Sequence, residues 1–360
     1  MIQIKRKNKY INGIDGLRFL ALIGVLGYHL FPRRVQGGFF GVVLFFVISG
    51  FLSGVSCADY AKDKSFRLGK YYKDRAIRIY IPLIVVIFVT MGVMTYFFPI
   101  KLANSQQEII SILLGYNNYW QLHMNADYFA NIAQNSPFTH LWYIAILIQF
   151  ELLWGIVTYF YVKIKKAQTY KNFMLVFWII TILSFFVMPI MALSGVDITA
   201  MYYRTSSRIF SLLAGALMGI YYGRGYIFLP YRNKAIAHIT MTECILITIV
   251  MYFAIPGSSK YVYLFGMAFY TLLCCLMTQI LLYRKNRVSM VIGNKIFKGI
   301  SKYSYEIYLW QYPVIFIVNQ FNPPQNIYYY LSILFIISFL SIWLHSFTRL
   351  FTPKKKILSK

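Results

Sequence analysis

Apolar runs of about twenty residues recur from one end of this chain to the other, and this repetition most constrains how it can fold. The hydrocarbon core of a bilayer is about 30 Å thick, which roughly 20 helical residues cross. Backbone groups inside lipid must be hydrogen-bonded within the protein, so apolar segments of this length form helices. With 59% apolar and only 13% charged residues, the sequence predicts an all-α polytopic membrane protein.

We count ten such runs and therefore predict about ten transmembrane helices. They cover approximately residues 14–31, 38–57, 79–98, 139–161, 172–194, 206–222, 237–255, 261–283, 304–320 and 326–347. No internal repeat or linker divides the chain, so residues 1–360 are expected to form a single transmembrane domain.

The distribution of basic residues predicts the orientation of these helices. Segments on the N-terminal side of the alternating spans carry 29 of the 36 Lys and Arg residues, and the opposite segments carry five. Because cytoplasmic loops are enriched in Lys and Arg, both termini are predicted to be cytoplasmic. The net charge of +26 is distributed in short clusters between spans, so it does not predict a nucleic acid partner.

Four cysteines lie in or at the edge of predicted spans, with neither metal-ligand nor disulfide spacing, and no metal site is predicted. The N-terminus is basic and then apolar, as in a signal peptide, but no small-residue cleavage site follows the apolar run. We therefore interpret this segment as an uncleaved first helix.

Arg18 and His29 lie within the first predicted span, where ionisable groups are costly and usually functional. Eleven residues at about 100° each come to roughly 1100°, about 20° from three full turns, so both side chains leave the same helix face. At about 1.5 Å per residue they lie roughly 16 Å apart along the axis. They cannot contact each other, but they can line one path through the membrane.

Four segments resemble, in the same order, motifs of the acyltransferase family 3 integral membrane proteins. The first is 13–54, in which Arg18 and His29, separated by ten residues, precede GGFFGVVLFFVISGF. The others are KYYKDRAIRIYIPL (70–83), FTHLWYIAILIQFELLW (138–154) and SYEIYLWQYPV (304–314). Together these motifs extend over nearly the whole chain.

The resemblance implies a membrane O-acyltransferase that moves an acyl group, usually acetyl, from cytoplasmic acyl-CoA to a hydroxyl of a surface glycan. The pattern is most similar to the peptidoglycan and surface-glycan O-acetyltransferases of Gram-positive bacteria, which implies a multi-pass protein of the bacterial plasma membrane. It implies no tightly bound cofactor, with acyl-CoA (acetyl-CoA) as the donor substrate.

The implied partners are acyl-CoA, the lipid bilayer, and a surface glycan such as peptidoglycan or capsular polysaccharide, or its lipid-linked precursor. Many relatives carry an extracytoplasmic SGNH-type esterase domain after the membrane part. None is expected within this chain, which is compatible with a separate SGNH-type transferase as a further partner.

His29 is the first candidate for a catalytic group, as the base that takes the acceptor's proton or as the carrier of the acyl group. Arg18 could hold a phosphate or polarise the thioester, and Asp15, three residues earlier, could orient it. The alternatives are a histidine bonded between helices and an ion pair that anchors the helix end.

Arg75 and Arg78 precede the third apolar run, and guanidinium groups are suited to the phosphates of coenzyme A. The resemblance favours both as cofactor-binding residues. The alternative is that they only contribute to the basic character of a cytoplasmic loop.

A second set of polar and aromatic residues is predicted to contact the substrate. It comprises His140, Trp142, Gln149 and Gln311. His140 and Trp142 are predicted at the outer end of their span, where an ordinary aromatic belt at the membrane interface is the alternative to a sugar platform.

The chain departs from the family pattern where acidic residues are usual, because Val43, Leu147 and Ile148 are apolar. Glu151 is the acid expected to stand in for the glutamates missing at 147 and 148, as a catalytic group, and a carboxylate deep in a span requires a buried partner. Arg208 or His140 is expected to be that partner. The missing acids leave two alternatives open: a transporter-like protein, and a degenerate relative that acts without its own chemistry.

Overall fold

The computed structural model describes residues 2–3, 11, 13–99, 105–124, 136–228, 233–282 and 293–351. Within these ranges the regular secondary structure is helical, apart from a two-residue antiparallel pairing of Ile2–Gln3 (β1) with Tyr226–Ile227 (β2). The N-terminal and C-terminal basic segments used to predict the orientation, in 4–10 and 352–360, lie outside the described residues.

The first half of the described chain contains three long helices, then two short ones, then another long one. They are α1 (Ile14–Leu30), α2 (Phe40–Asp63), α3 (Leu68–Phe97), α4 (Ser105–Leu113), α5 (Asn117–His123) and α6 (Trp142–Val162). A 3₁₀ turn, Thr139–Leu141, leads directly into α6. The two short helices thus lie in the longest connection between predicted spans.

Eight further helices lie in the described residues of the second half. They are α7 (Ala167–Leu193), α8 (Ile198–Tyr203), α9 (Thr205–Gly223), α10 (Lys234–Ala254), α11 (Met267–Leu282), α12 (Lys295–Ser301), α13 (Ser304–Gln320) and α14 (Ile327–Thr348). One π-helical turn, Val262–Gly266, precedes α11.

Seven helices of the described chain are long and apolar enough to cross a membrane. They correspond to α2, α3, α6, α7, α10, α11 and α14, the helices α6 and α11 together with their preceding turns. The other three predicted spans correspond to α1, α9 and α13, of which α1 and α13 have 17 residues each. The all-helical membrane fold is confirmed, and the count of ten spans remains a prediction.

Helix α2 is the buried centre of the bundle, with 78% of its apolar window inside the protein. Its closest partner is α9, which packs along it through small residues. A Cβ atom on Gly50 would lie 2.0 Å from the carbonyl oxygen of Leu212, and one on Gly215 would lie 2.2 Å from that of Val47. Glycine therefore permits backbone contact between these helices, as small residues do in membrane bundles.

Candidate functional site

Two cavities lie at opposite ends of the same three helices, α1, α13 and α14. The first, the Arg18 cavity, has a volume of about 490 Å³ and lies where α1 and α13 begin and α14 ends. The second, the His29 cavity, has a volume of about 530 Å³ and lies where α1 and α13 end and α14 begins. The two ionisable residues of α1 therefore line different cavities.

The Arg18 cavity is rich in basic side chains. Its lining includes Arg18, Arg78, Lys302 and Arg349. Asp15 lies one turn before Arg18 and pairs with it, with 3.6 Å between the Arg18 guanidinium nitrogen and the Asp15 carboxylate oxygen. The Ser301 hydroxyl donates to the Asp15 carbonyl, which joins α12 to the start of α1. Such an array of cations can bind a polyanion.

The His29 cavity combines one imidazole with aromatic and amide side chains. His29 and Tyr312 form part of its wall, together with Asn319, Gln325 and Tyr329. The Tyr329 hydroxyl donates to the Asn319 side chain at 2.6 Å, which fixes this part of the rim. Hydroxyl and amide groups around an aromatic wall are suited to a polar ligand such as a sugar, and Arg33 and Arg34 also line this cavity.

One turn of α13 separates the cavities. Tyr308 lines the Arg18 cavity and Tyr312 lines the His29 cavity. Four helical residues correspond to roughly 6 Å along the axis, so a small acyl group would have only a short distance to cross. His140 contacts both ends of this turn. Its carbonyl accepts a hydrogen bond from the Tyr308 hydroxyl at 2.6 Å, and its ring stacks on Tyr312 with centroids 5.3 Å apart.

His29 is buried at the floor of its cavity, with 6% of its surface exposed. Its ring packs edge-on against Tyr312, with centroids 5.0 Å apart, and its side chain contacts the amide of Gln311. The imidazole thus lies against two neighbours of the late motif. An imidazole that lines a ligand-sized cavity can accept a proton from a hydroxyl.

Glu151 has a buried partner, but the expectation that this partner is Arg208 or His140 is wrong. Its carboxylate lies 3.2 Å from the Nε of Arg75, and it accepts hydrogen bonds from Tyr71 and, at 3.0 Å, from Ser53. Arg75 therefore points towards Glu151. Arg78, three residues later, lines the Arg18 cavity.

Arg208 is held by different groups, which explains why it does not reach Glu151. Its Nε donates to the Tyr202 carbonyl at 2.8 Å, and its guanidinium lies over the Tyr202 ring, 4.2 Å from the centroid. His140 is also engaged elsewhere, since its Nε2 lies 3.2 Å from the Leu309 carbonyl oxygen. Long-range packing therefore determines both sets of partners, and helical spacing does not report it.

The residues predicted to form an outer rim are buried. His140 and Trp142 are each 1% exposed, so neither presents an open platform or an aromatic belt. Trp142 packs between the α8 tyrosines and Arg208. Gln149 donates to the Gly115 carbonyl at 2.8 Å and to the Asn118 side chain at 2.9 Å, and so holds α5 against α6.

Several residues of the Arg18 cavity were not singled out from the sequence. Lys302 and Arg349 were counted only as basic loop residues, and Glu306 with His345 was not recognised as a pair. The His345 Nδ1 lies 2.7 Å from the Glu306 carboxylate, which links α13 to α14 at the cavity wall. Tyr312 was also missed, although it directly follows Gln311 in the late motif.

Comparison with known proteins identifies the family. A family model described as an acyltransferase domain matches residues 11–357. The chain belongs to this acyltransferase family. As a member it is a multi-pass membrane protein, in agreement with its apolar helices.

Curated relatives in the family include O-acetyltransferases of Gram-positive bacteria. The peptidoglycan O-acetyltransferase OatA of Listeria monocytogenes is 32% identical over 311 residues, which are 85% of this chain and 50% of that protein. The O-acetyltransferase OatA of Staphylococcus aureus is 26% identical over 332 residues, 91% of this chain and 54% of that protein. The chain thus spans about half the length of these relatives. No solved structure matches it.

Proposed function

We propose that this protein is a membrane O-acyltransferase that moves an acyl group from cytoplasmic acyl-CoA to a hydroxyl of a cell-wall glycan. Acetyl is the acyl group that we propose first. The observation that supports this most directly is the pair of cavities separated by one turn of α13. A donor and an acceptor approaching from opposite faces could meet there across roughly 6 Å. The family and its O-acetyltransferase members support the same reaction class.

Acyl-CoA would bind in the Arg18 cavity. Its phosphates carry several negative charges, and Arg78, Lys302 and Arg349 offer matching cations. These basic residues belong to segments predicted to be cytoplasmic, which is where acyl-CoA is available. Arg18 lies roughly 16 Å from His29 along α1 and would hold a phosphate of the donor, whereas Arg75 would act indirectly because it pairs with Glu151.

The acceptor would bind in the His29 cavity, which lies at the predicted outer face. In the reaction, the hydroxyl proton passes to His29, the oxygen attacks the thioester carbonyl carbon, and the C–S bond breaks to release the thiolate into the Arg18 cavity. His29 could alternatively carry the acyl group before transfer, which also ends with a new ester bond. Gln311 and Tyr312 orient the imidazole in either sequence of steps.

Substitution of His29 tests this function. We expect His29→Ala to lose at least a hundredfold in acyl transfer from acetyl-CoA to cell-wall glycan, with membrane expression retained, because general-base groups contribute about 10²–10⁴-fold. His238→Ala on α10 is the matched control, because this histidine lines neither cavity. Radiolabelled acetate released from purified glycan gives the readout.

Normal acylation by a well-expressed His29→Ala protein would remove His29 from the reaction. No acylation by the unsubstituted protein, in membranes that contain acetyl-CoA and glycan, would favour the degenerate relative. The apolar Val43, Leu147 and Ile148 are the sequence feature that supports this alternative.

A further inference from the structure

The turn that follows α1 places two adjacent arginines on the His29 cavity. Arg33 and Arg34 are both exposed, and both line this cavity, whose floor carries the His29 imidazole. Among the described residues that line the cavity, none is Asp or Glu. The mouth of the proposed acceptor site therefore carries positive charge that no lining carboxylate neutralises.

The backbone of this turn is well fixed. The amides of Arg34 and Val35 both donate to the Phe31 carbonyl, at 2.9 and 2.8 Å, and the Gln36 side chain donates to the Arg33 carbonyl at 3.1 Å. The Phe31 ring also packs on Tyr330 of α14, with centroids 4.6 Å apart. The two guanidinium groups thus extend from an anchored base beside the cavity.

Close packing of glycines holds the end of the turn against α1. A Cβ atom on Gly38 would lie 2.1 Å from the Gly24 carbonyl oxygen, so only glycine permits this approach. The Gly37 amide donates to the Tyr252 carbonyl at 2.9 Å, which ties the turn to α10. A turn held at both ends keeps its arginines near the cavity and lowers the entropic cost of binding a ligand.

These two arginines lie on the predicted outer side of the membrane, where basic residues are rare. Only five Lys and Arg residues fall on the predicted outer side of the whole chain, and two of them are adjacent here. Outer loops are normally poor in basic residues, so membrane orientation does not account for the pair. Guanidinium groups match carboxylates and phosphates in a bidentate geometry, which indicates an anionic ligand.

We propose that Arg33 and Arg34 bind an anionic group, a carboxylate or a phosphate, carried by the acceptor glycan close to the hydroxyl that is acylated. This inference rests on the proposed function, because it assigns the acceptor to the His29 cavity. It narrows the acceptor from glycans in general to acidic glycans. An anionic lipid headgroup has the same chemistry and is the other possible source of the charge.

The test compares two acceptors that differ in the charge of one group and otherwise only by a methyl group. One probe is a hexosamine disaccharide bearing a lactyl carboxylate, and the other is its methyl ester. Binding to purified protein in neutral phosphatidylcholine vesicles is measured by equilibrium dialysis, and acetyl transfer from acetyl-CoA is measured separately. The variants are Arg33→Gln with Arg34→Gln, and Lys260→Gln as a control at an exposed residue that does not line the cavity.

We expect the unsubstituted protein to bind the acid about tenfold more tightly than the ester, and salt to reduce this preference. The double variant should lose the preference while its binding of the ester is unchanged, and Lys260→Gln should retain the preference. Equal binding of acid and ester, or a preference that survives in the double variant, would overturn the proposal.

Lipid composition distinguishes the two sources of negative charge. If the arginines instead bind lipid headgroups, the acceptor binding of the double variant will differ from that of the unsubstituted protein only in vesicles that contain phosphatidylglycerol. This result would also overturn the proposal. Charge-selective binding without acetyl transfer would leave the acidic-ligand site standing and count against the proposed enzymatic function. Acetyl transfer without charge selectivity would support the enzymatic function and count against the acidic-ligand site.

Discussion

The carboxylate of Glu151 shows at the scale of single residues how a buried charge is stabilised. Glu151 is 5% exposed, and its partners Arg75, Tyr71 and Ser53 come from α3 and α2. A lone carboxylate is costly to bury, so these three contacts compensate for its removal from water.

Removal of one partner should therefore destabilise the fold. We expect Glu151→Gln to cost about 2–4 kcal/mol, at the lower side of the range for buried pairs, because Arg75 keeps some solvent exposure. Glu151→Leu combined with Arg75→Met should recover most of this loss, as measured by thermal unfolding in detergent. Glu151→Leu combined with Arg208→Leu should recover nothing, and recovery in that combination would contradict the partner assignment.

The same double variant tests the catalytic role predicted for Glu151. If the protein with Glu151→Leu and Arg75→Met is stable but inactive, then Glu151, or the Arg75 that it orients, takes part in the reaction. A stable and active protein would assign the pair to the fold alone.

Glu108 is a second buried acid, and it lies outside the long helices, in α4. Burial raises the pKa of Glu108 to about 7, although hydrogen bonds from Ser136 and Gln121 act in the opposite direction. An exposed glutamate titrates near pH 4.3, so between about pH 4.5 and 7 the folded protein binds a proton that the unfolded chain does not. Stability must then fall as the pH rises through this window and level off above it.

We expect this loss to be on the order of 3 kcal/mol in total, and Glu108→Gln to abolish it, because glutamine resembles the protonated acid. The measurement is the unfolding temperature between pH 5 and 8 for both proteins. An identical pH dependence in the variant would show that other groups dominate.

At the scale of helices, the small residues of α2 and α9 determine the centre of the bundle. Gly50 and Gly54 of α2 face the backbone of α9, and Gly215 and Gly219 of α9 face the backbone of α2. Added Cβ atoms at these positions would lie 2.0–2.2 Å from carbonyl oxygens, which side-chain rotation cannot relieve.

We expect Gly50→Ala to destabilise the protein by roughly 1–3 kcal/mol, the typical cost of overpacking. Gly92→Ala is the matched control, because Gly92 also lies inside a helix and nothing lies within 4 Å of its added Cβ. Alanine is the better helix former, so the control should be neutral or slightly stabilising. Equal effects at both positions, measured by thermal unfolding in detergent, would show that helix propensity rather than packing controls Gly50.

The sequence predicted these helices better than the contacts between them. Hydropathy and small residues indicate which segments cross the membrane and which can approach closely, because both depend on local composition. The pairing of Glu151 with Arg75 depends on how α3 and α6 pack, and no periodicity reports that. The sequence likewise does not predict that Tyr308 and Tyr312 line two different cavities. This depends on the position of α13 in the bundle.

At the scale of the whole molecule, the central feature is the separation of two chemically different cavities by one helical turn. The Arg18 cavity is rich in cations, and the His29 cavity is lined by aromatic and amide groups around an imidazole, with Arg33 and Arg34 also in its lining. If the predicted orientation is correct, the first opens to the cytoplasm and the second to the outside. Such an arrangement would let the acyl group cross the membrane while the two substrates remain on their own sides.

Cysteine labelling tests this arrangement, in a protein whose native Cys57, Cys244, Cys274 and Cys275 are replaced by alanine. Gln325→Cys lines the His29 cavity, and Lys302→Cys lines the Arg18 cavity; both positions are exposed. A membrane-impermeant maleimide should label Gln325→Cys in intact cells and Lys302→Cys only in inverted vesicles. Exposed control positions are Lys260→Cys for the outer face and Lys166→Cys for the inner face.

Substrate protection then relates each cavity to its substrate. Acetyl-CoA should slow the labelling of Lys302→Cys by at least fivefold at saturation and leave Gln325→Cys unchanged, because the donor is proposed to bind in the Arg18 cavity alone. Labelling of both cysteines from one side would mean that the cavities open to the same face, and transfer across the bilayer would then be excluded. Protection of Gln325→Cys by acetyl-CoA would place the donor in the His29 cavity and reverse the proposed direction of transfer.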